Sequence, residues 1–339
     1  MRSTLILMII IVVLALIFDF TNGFHDTATV VATTIATRAL SPRKAITMCA
    51  IFNFIGAFTS TAVAKTVGDG IVDGTKMPLW IIMCVLLAAI IWNMFTWYFG
   101  VPTSSTGAII GALVGGGIAM TNNFKEVGWW ILINKFVIWI FISPIIGFTV
   151  GYILIYILKI VFKNANLRRT NRFFQKSQIF SGALIALNHG ANDSQKSMGI
   201  ITMSLVSGGF LGAFNVPNWV IFACASAMGL GTMGGGKRII KTMGSKVTKI
   251  DPLGGFVAQI GSALVLAVAT NLHAPVSTTQ VMASSIMGTG SQKSFKRVNW
   301  SVAKDMGLSW IITIPSAGIL CYILVQIGKF IIYMNGIFY

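Results

Sequence analysis

Residues 79–107 read LWIIMCVLLAAIIWNMFTWYFGVPTSSTG, an apolar run that ends in Val101-Pro102-Thr103-Ser104-Ser105-Thr106-Gly107. The run approaches the roughly 20 residues that carry a helix across a bilayer. Ala108 to Ala119, which follows, is made of small and apolar residues and is too short to span. A long apolar segment, a proline–hydroxyl turn and a short return read as a re-entrant helical hairpin. Proline suits the first turn of a helix, where N–H groups have no partner and Ser and Thr add hydroxyls facing the same point. A helix start of this kind carries positive partial charge and attracts an oxyanion. Ordinary capping and small-residue helix packing would use the same residue types.

The motif occurs twice. Ala274-Pro275-Val276-Ser277-Thr278-Thr279 precedes a second short segment, Val281 to Gly290. A second pair stands upstream in the same order: Asn22-Gly23-Phe24-His25-Asp26-Thr27 and His189-Gly190-Ala191-Asn192-Asp193-Ser194. Trp139 and Pro144 find counterparts in Trp310 and Pro315. Charge gives the halves their relation. Arg38, Arg43 and Lys44 follow the first acidic motif, whereas Ser207 to Asn218 after the second is uncharged. Lys65 to Lys76 is balanced by Asp69 and Asp73, whereas Lys237 to Lys249 holds five basic residues and no acid. Equivalent loops of opposite bias lie on opposite membrane faces by the positive-inside rule. The expectation is therefore an all-α polytopic membrane protein with two inverted-topology repeats and two re-entrant hairpins. The repeats are 1–158 and 178–339, joined by a basic cytoplasmic linker at 159–177, and Trp129 to Phe162 is one tilted crossing or two short ones.

Composition agrees. The 339 residues are 55% hydrophobic and 10% charged, too little charge to cover a soluble surface. The net charge of +17 concentrates in clusters such as Lys159, Lys163, Arg168, Arg169, Arg172 and Lys176, a topology signal rather than a nucleic-acid site. The N-terminal run reads as a membrane helix, because Asp19 and Asn22 stand where a leader would have small residues for cleavage. Cys49, Cys84, Cys224 and Cys321 are scattered through apolar sequence, which excludes a zinc motif and a disulfide framework.

Asp19, Asp26 and Asp193 lie in or beside apolar sequence. Carboxylates at membrane depth mark ion or substrate pathways. Asp26 and Asp193 are equivalent positions, while Ala186 faces Asp19 in the alignment. His25 precedes Asp26 and is a candidate for a proton, a metal-bound phosphate or a backbone carbonyl; His189 and His273 read as structural or functional. Gly23 and Gly190 suit helix breaks whose freed backbone faces a cavity. Lys196 and Arg38 add charge to the site or snorkel to headgroups. An oxyanion beside two carboxylates requires protons or cations between them, which argues for a symporter over a uniporter.

At these residues the chain resembles the inorganic phosphate transporter family of the PiT type. Gly190-Ala191-Asn192-Asp193 fits its repeated motif, and Asn22-Gly23-Phe24-His25-Asp26 departs from it with Phe24 and His25. That variant, with Phe52-Asn53-Phe54, Ile91-Trp92-Asn93 and Trp97-Tyr98-Phe99-Gly100, resembles the bacterial low-affinity branch. The resemblance implies phosphate held between the tips (Ser104, Ser105, Thr106, Ser277, Thr278 and Thr279) and the acidic motifs (Asp26, Asn192 and Asp193). It implies coupling through Asn22, His25, Asp26 and Asp193 to H+ or Na+, or to a divalent metal carried with phosphate and held by His25, Asp26 and Asp193. It further implies a homodimer in the cell membrane, in bacteria the inner one. The rivals are a sulfate permease of the same family, an oxyanion channel and a membrane metalloenzyme; no HExxH spacing supports the last.

Overall fold

Apolar sequence in a bilayer has to satisfy its backbone internally, and the helix does so within one segment. The computed structural model describes residues 2–69 and 77–334, and these are helical with no strand. Asp73 and Lys76, used in the charge comparison, lie outside the described residues. The first part of the chain forms α1 (Arg2–Ala36), α2 (Pro42–Gly56), α3 (Ala62–Asp69), α4 (Leu79–Phe99), α5 (Ser105–Thr121), α6 (Trp129–Leu132) and α7 (Ile138–Val161). The second forms α8 (Leu167–Ser207), α9 (Asn218–Gly234), α10 (Lys237–Lys241), α11 (Pro252–Asn271), α12 (Thr278–Lys293) and α13 (Trp300–Met334).

Among the described residues, Thr4–Ala36, Leu79–Phe99, Trp129–Val161, Pro252–Asn271 and Trp300–Met334 are long and apolar enough to cross a membrane. Asn218–Gly234 and Lys237–Lys246 add a sixth if their 64° bend lies within one span. Large apolar side chains such as Leu5, Ile145, Ile319 and Phe330 face outward. A surface this apolar belongs in lipid, and the protein is a multi-pass membrane protein. Trp129 to Val161 is one run with a π-turn at Ile133–Val137. The basic stretch expected as a linker is mostly helix: α8 starts at Leu167, with Asn166 accepting from the N–H groups of Arg168 and Arg169.

Similar devices recur along the two parts. The indole N–H of Trp129 donates to the Phe124 carbonyl and that of Trp300 to the Phe295 carbonyl, each over 2.8 Å. Packing is crosswise: α5 lies against α13 and α12 against α7. α4 packs on α5 across the short connection Gly100–Ser104, and α11 on α12 across Leu272–Ser277.

Gly23 and Gly190 do not break helices, contrary to the sequence reading. α1 and α8 run through them without interruption. Their role is close helix crossing. A Cβ at Gly190 would stand 2.1 Å from the Asn53 carbonyl oxygen of α2, and one at Gly56 of α2 would stand 2.0 Å from that of Leu187 in α8. The same reciprocity joins α1 and α9, where Gly23 meets Met228 at 2.5 Å and Gly231 meets Phe20 at 2.1 Å. Missing side chains let backbones approach, which is how membrane helices gain packing without a hydrophobic drive between them. Gly190→Val should lower stability by about 3 kcal/mol through overpacking. The control Gly212→Ala, which meets nothing within 4 Å, should have no effect. Thermal unfolding in detergent reads both, and a wild-type melting temperature for Gly190→Val would contradict the crossing.

Candidate functional site

The polar residues of α1 and α8 are buried where the two helices meet the N-termini of α5 and α12. Asp19, Asn22, His25, Asp26, His189, Asn192, Asp193 and Lys196 are all sequestered. Helix starts supply the hydroxyls. Ser104 caps α5 by accepting from Gly107 N–H, and Ser277 caps α12 by accepting from Gln280 N–H. That commits Ser104 and Ser277 to capping and turns the next hydroxyls toward the carboxylates.

Asp26 accepts from Ser105 at 2.6 Å on Oδ2 and from Thr279 at 3.2 Å on Oδ1, where His25 Nδ1 also sits at 2.6 Å. Both tips therefore grip one carboxylate. Asp193 Oδ1 accepts from Thr278 at 3.2 Å and Asn192 at 3.0 Å. Its Oδ2 accepts from Lys196 Nζ at 2.8 Å and Asn22 Nδ2 at 3.3 Å. Lys196 Nζ also donates to Ser105 Oγ at 2.8 Å, so one ammonium ties both acidic motifs to the first tip. Asn192 Nδ2 reaches the Val276 carbonyl at 2.8 Å, and Thr106 Oγ1 donates to that carbonyl at 3.5 Å.

The two histidines differ. His25 has Nδ1 on Asp26, and Nε2 lies 3.4 Å from the hydroxyls of Thr96 and Thr103. His189 is oriented by a chain of hydrogen bonds. Thr232 donates to the Met228 carbonyl, Asn53 Nδ2 donates to Thr232 at 2.8 Å and Thr27 at 3.1 Å, and this leaves Asn53 Oδ1 facing His189 Nδ1 at 3.0 Å. An amide oxygen only accepts, so Nδ1 carries the proton and Nε2 presents its lone pair. Nε2 lies 3.5 Å from Asp193 Oδ2 and has no hydrogen-bond partner. Among the described residues, Asp26, His189 and Asp193 form a group whose ligand atoms lie within 4.8 Å of one another. His25, expected from sequence as the third ligand, is outside that group, because its nitrogens face Asp26 and two hydroxyls.

Asn22 Oδ1 and Asn192 Oδ1 likewise accept no hydrogen bond. Asp19 neighbours Ser197 and Cys224 and belongs to the same polar layer. Unpaired buried acceptors are costly, and here they gather around carboxylates. Arg38 is exposed at the turn after α1 and takes no part.

The phosphate transporter family model matches residues 22–170 and 161–321. The chain belongs to the phosphate transporter family. It is 48% identical to a protein of Bacillus subtilis described as a "probable low-affinity inorganic phosphate transporter", over 93% of this chain and 95% of that one. A Rhizobium meliloti protein of the same description is 42% identical over 93% and 96%, and one of Mycobacterium tuberculosis is 40% identical over 94% and 77%. The fold is that of a solved sodium-dependent phosphate transporter, with a TM-score of 0.88, 20% identity and coverage of 96% and 99%.

Within this phosphate transporter family member, the sequence reading left two residues underweighted. Lys196 is fully buried and anchors nothing at the lipid surface. Its spacing of i,i+3 from Asp193 on one helix was the available signal. Asn53 stood out only within Phe52-Asn53-Phe54, with no role attached to it, since its contact with His189 spans 136 positions. Removing one partner of a buried ion pair leaves the other uncompensated, so Lys196→Met should cost about 3–5 kcal/mol. The double variant Lys196→Met/Asp193→Asn should cost less than the single one. A denaturant-unfolding cycle measures this, and strict additivity would contradict the pair.

Proposed function

We propose that the chain is a secondary active symporter that imports inorganic phosphate by alternating access between two inverted repeats, 1–158 and 178–339. The observation that carries this is the convergence of the Ser105, Thr278 and Thr279 hydroxyls, at the starts of α5 and α12, and of Lys196 on two buried carboxylates. Hydroxyls, helix-start amides and an ammonium are the donors that an oxyanion takes. In binding, phosphate exchanges places with the carboxylates as acceptor of the tip hydroxyls. A monoprotonated phosphate also donates, and Asp26 or Asp193 accepts; sulfate has no proton to give, which favours phosphate.

The carboxylates set the coupling. An anion beside Asp26 and Asp193 gains a strong repulsion that one lysine does not offset. A proton, Na+ or a divalent metal carried with phosphate restores the balance. Asp26, His189 and Asp193, with the free Oδ1 atoms of Asn22 and Asn192, supply the acceptors for such a cation. Imidazole with carboxylate oxygens suits a divalent transition metal, and an all-oxygen set suits Mg2+. Alternating access is supported by the duplicated motifs, the crosswise packing of α5 on α13 and α12 on α7, and the short connections across which α4 packs on α5 and α11 on α12, the pattern a pair of re-entrant hairpins would give. We expect the homodimer usual in the family, which light scattering after size exclusion would read.

Uptake of labelled phosphate into proteoliposomes under imposed pH, sodium and magnesium gradients tests the proposal. The expected outcome is uptake that rises with at least one gradient. Asp26→Asn and Asp193→Asn should each lower it by about tenfold or more, the scale of one charge-assisted contact. Normal uptake by both variants sinks the site, and sulfate uptake without phosphate uptake sinks the substrate.

A further inference from the structure

A cavity of about 610 Å³ opens between the segments around Thr61–Thr66, Ile131–Lys135, Phe214–Val216 and His273. Its polar lining is Lys65, Lys135, His273, Thr61, Thr66 and Asn215, and no described lining residue is acidic. It adjoins the second tip. Lys135 and His273 line it, while Phe136 and Pro275, their near neighbours in sequence, line a water-sized cavity of about 10 Å³ that reaches Ser104, Thr106 and Ser277.

His273 carries a further observation. Its backbone is left-handed, at φ 56°, where a Cβ is unfavourable. The equivalent residue of the first tip, also two positions before the proline, is Gly100 at φ 68°. The turns are bonded alike: Gly100 N–H to Trp97 and Val101 N–H to Thr96, His273 N–H to Thr270 and Ala274 N–H to Ala269. The turn therefore asks for glycine, and the second copy holds an imidazole instead, at the wall of a cavity with two lysines.

We propose that this cavity is a second oxyanion site, a vestibule in which Lys65, Lys135 and His273 capture inorganic phosphate before it passes the tip formed by Ala274–Ser277. The inference rests on phosphate being the substrate. A basic cleft with low-dielectric walls concentrates an anion at its mouth, and two lysines on long, flexible side chains hold it only loosely, as onward passage requires. The phosphate group of an anionic lipid shares this chemistry, so the test separates the two sources.

The full chain is reconstituted in purely zwitterionic vesicles. Lys65→Gln/Lys135→Gln should raise KM for phosphate about tenfold at low ionic strength with kcat within about twofold, and the difference should shrink as salt screens the cleft. His273→Gly relaxes the turn, so it should keep or raise thermal stability while still raising KM. An unchanged KM in all variants overturns the vestibule, as does a shift confined to vesicles containing anionic lipid. Equilibrium dialysis of labelled phosphate against Asp26→Asn/Asp193→Asn protein probes the cavity apart from transport. Weak binding should persist there and fall about tenfold when both lysines are also replaced, whereas no binding in either protein overturns the site. Failure of wild-type uptake with this binding intact would sink the substrate reading and with it the vestibule role, leaving the cavity as an oxyanion site alone.

Discussion

The ammonium of Lys196, sealed from solvent between Asp193 and Ser105, is the interaction on which the arrangement of the site depends. Burying a charge is tolerated only where partners meet it. Lys196 meets a carboxylate on its own helix and a hydroxyl on α5, and that hydroxyl donates in turn to Asp26 on α1. One cation thus holds three elements in register. The same centre contains more negative than positive groups, with Asp19, Asp26 and Asp193 all buried. Acceptors outnumber donors there, which is the imbalance that the proposed cation coupling would relieve, and the tip hydroxyls now given to Asp26 and Asp193 are the donors that the proposal passes to phosphate.

That centre exists because four helices approach more closely than side chains would allow. Gly23 and Gly231 bring α1 to α9, and Gly56 and Gly190 bring α2 to α8. Each glycine lies beside the polar residues it serves: Gly23 near His25 and Asp26, Gly190 near Asn192 and Asp193. Close backbone approach also sets the distance over which Asn53 reaches His189. Packing and polarity are therefore one design, in which the contact that replaces hydrophobic drive in lipid also fixes an imidazole tautomer. Imidazole oriented by a second group is the usual way in which a protein aims a lone pair.

The tips complete the logic. In each, one serine is spent on capping; Ser105 of the first tip and Thr278 and Thr279 of the second then donate to the acids, while Thr106 donates to the Val276 carbonyl of the other tip. Crosswise packing of α5 on α13 and α12 on α7 means that each tip is supported by the other part of the chain. A change in the relation of the two parts would therefore carry the tips with it, which is the mechanical content of the proposed alternating access.

Much was legible before any coordinates. Apolar runs without charge require helices in lipid, and the twice-repeated Pro–Ser/Thr and Asp motifs announced the helix starts of α5 and α12 and the buried carboxylates, because those signals are local in sequence. The tips' hydroxyls could be named for the same reason. What only the tertiary structure decided is everything that depends on distant pairs. It made Gly23 and Gly190 contact points rather than breaks, since a missing side chain reads alike in both roles until the neighbouring backbone is placed. It turned Lys196 inward and Arg38 outward, though both are basic residues near acidic motifs. It grouped His189, rather than His25, with Asp26 and Asp193, because Asn53, far away in sequence, orients one ring while Asp26 occupies the other. Composition and spacing thus determined the kind of protein and the residue types of its centre, and the folded contacts determined which atoms face which.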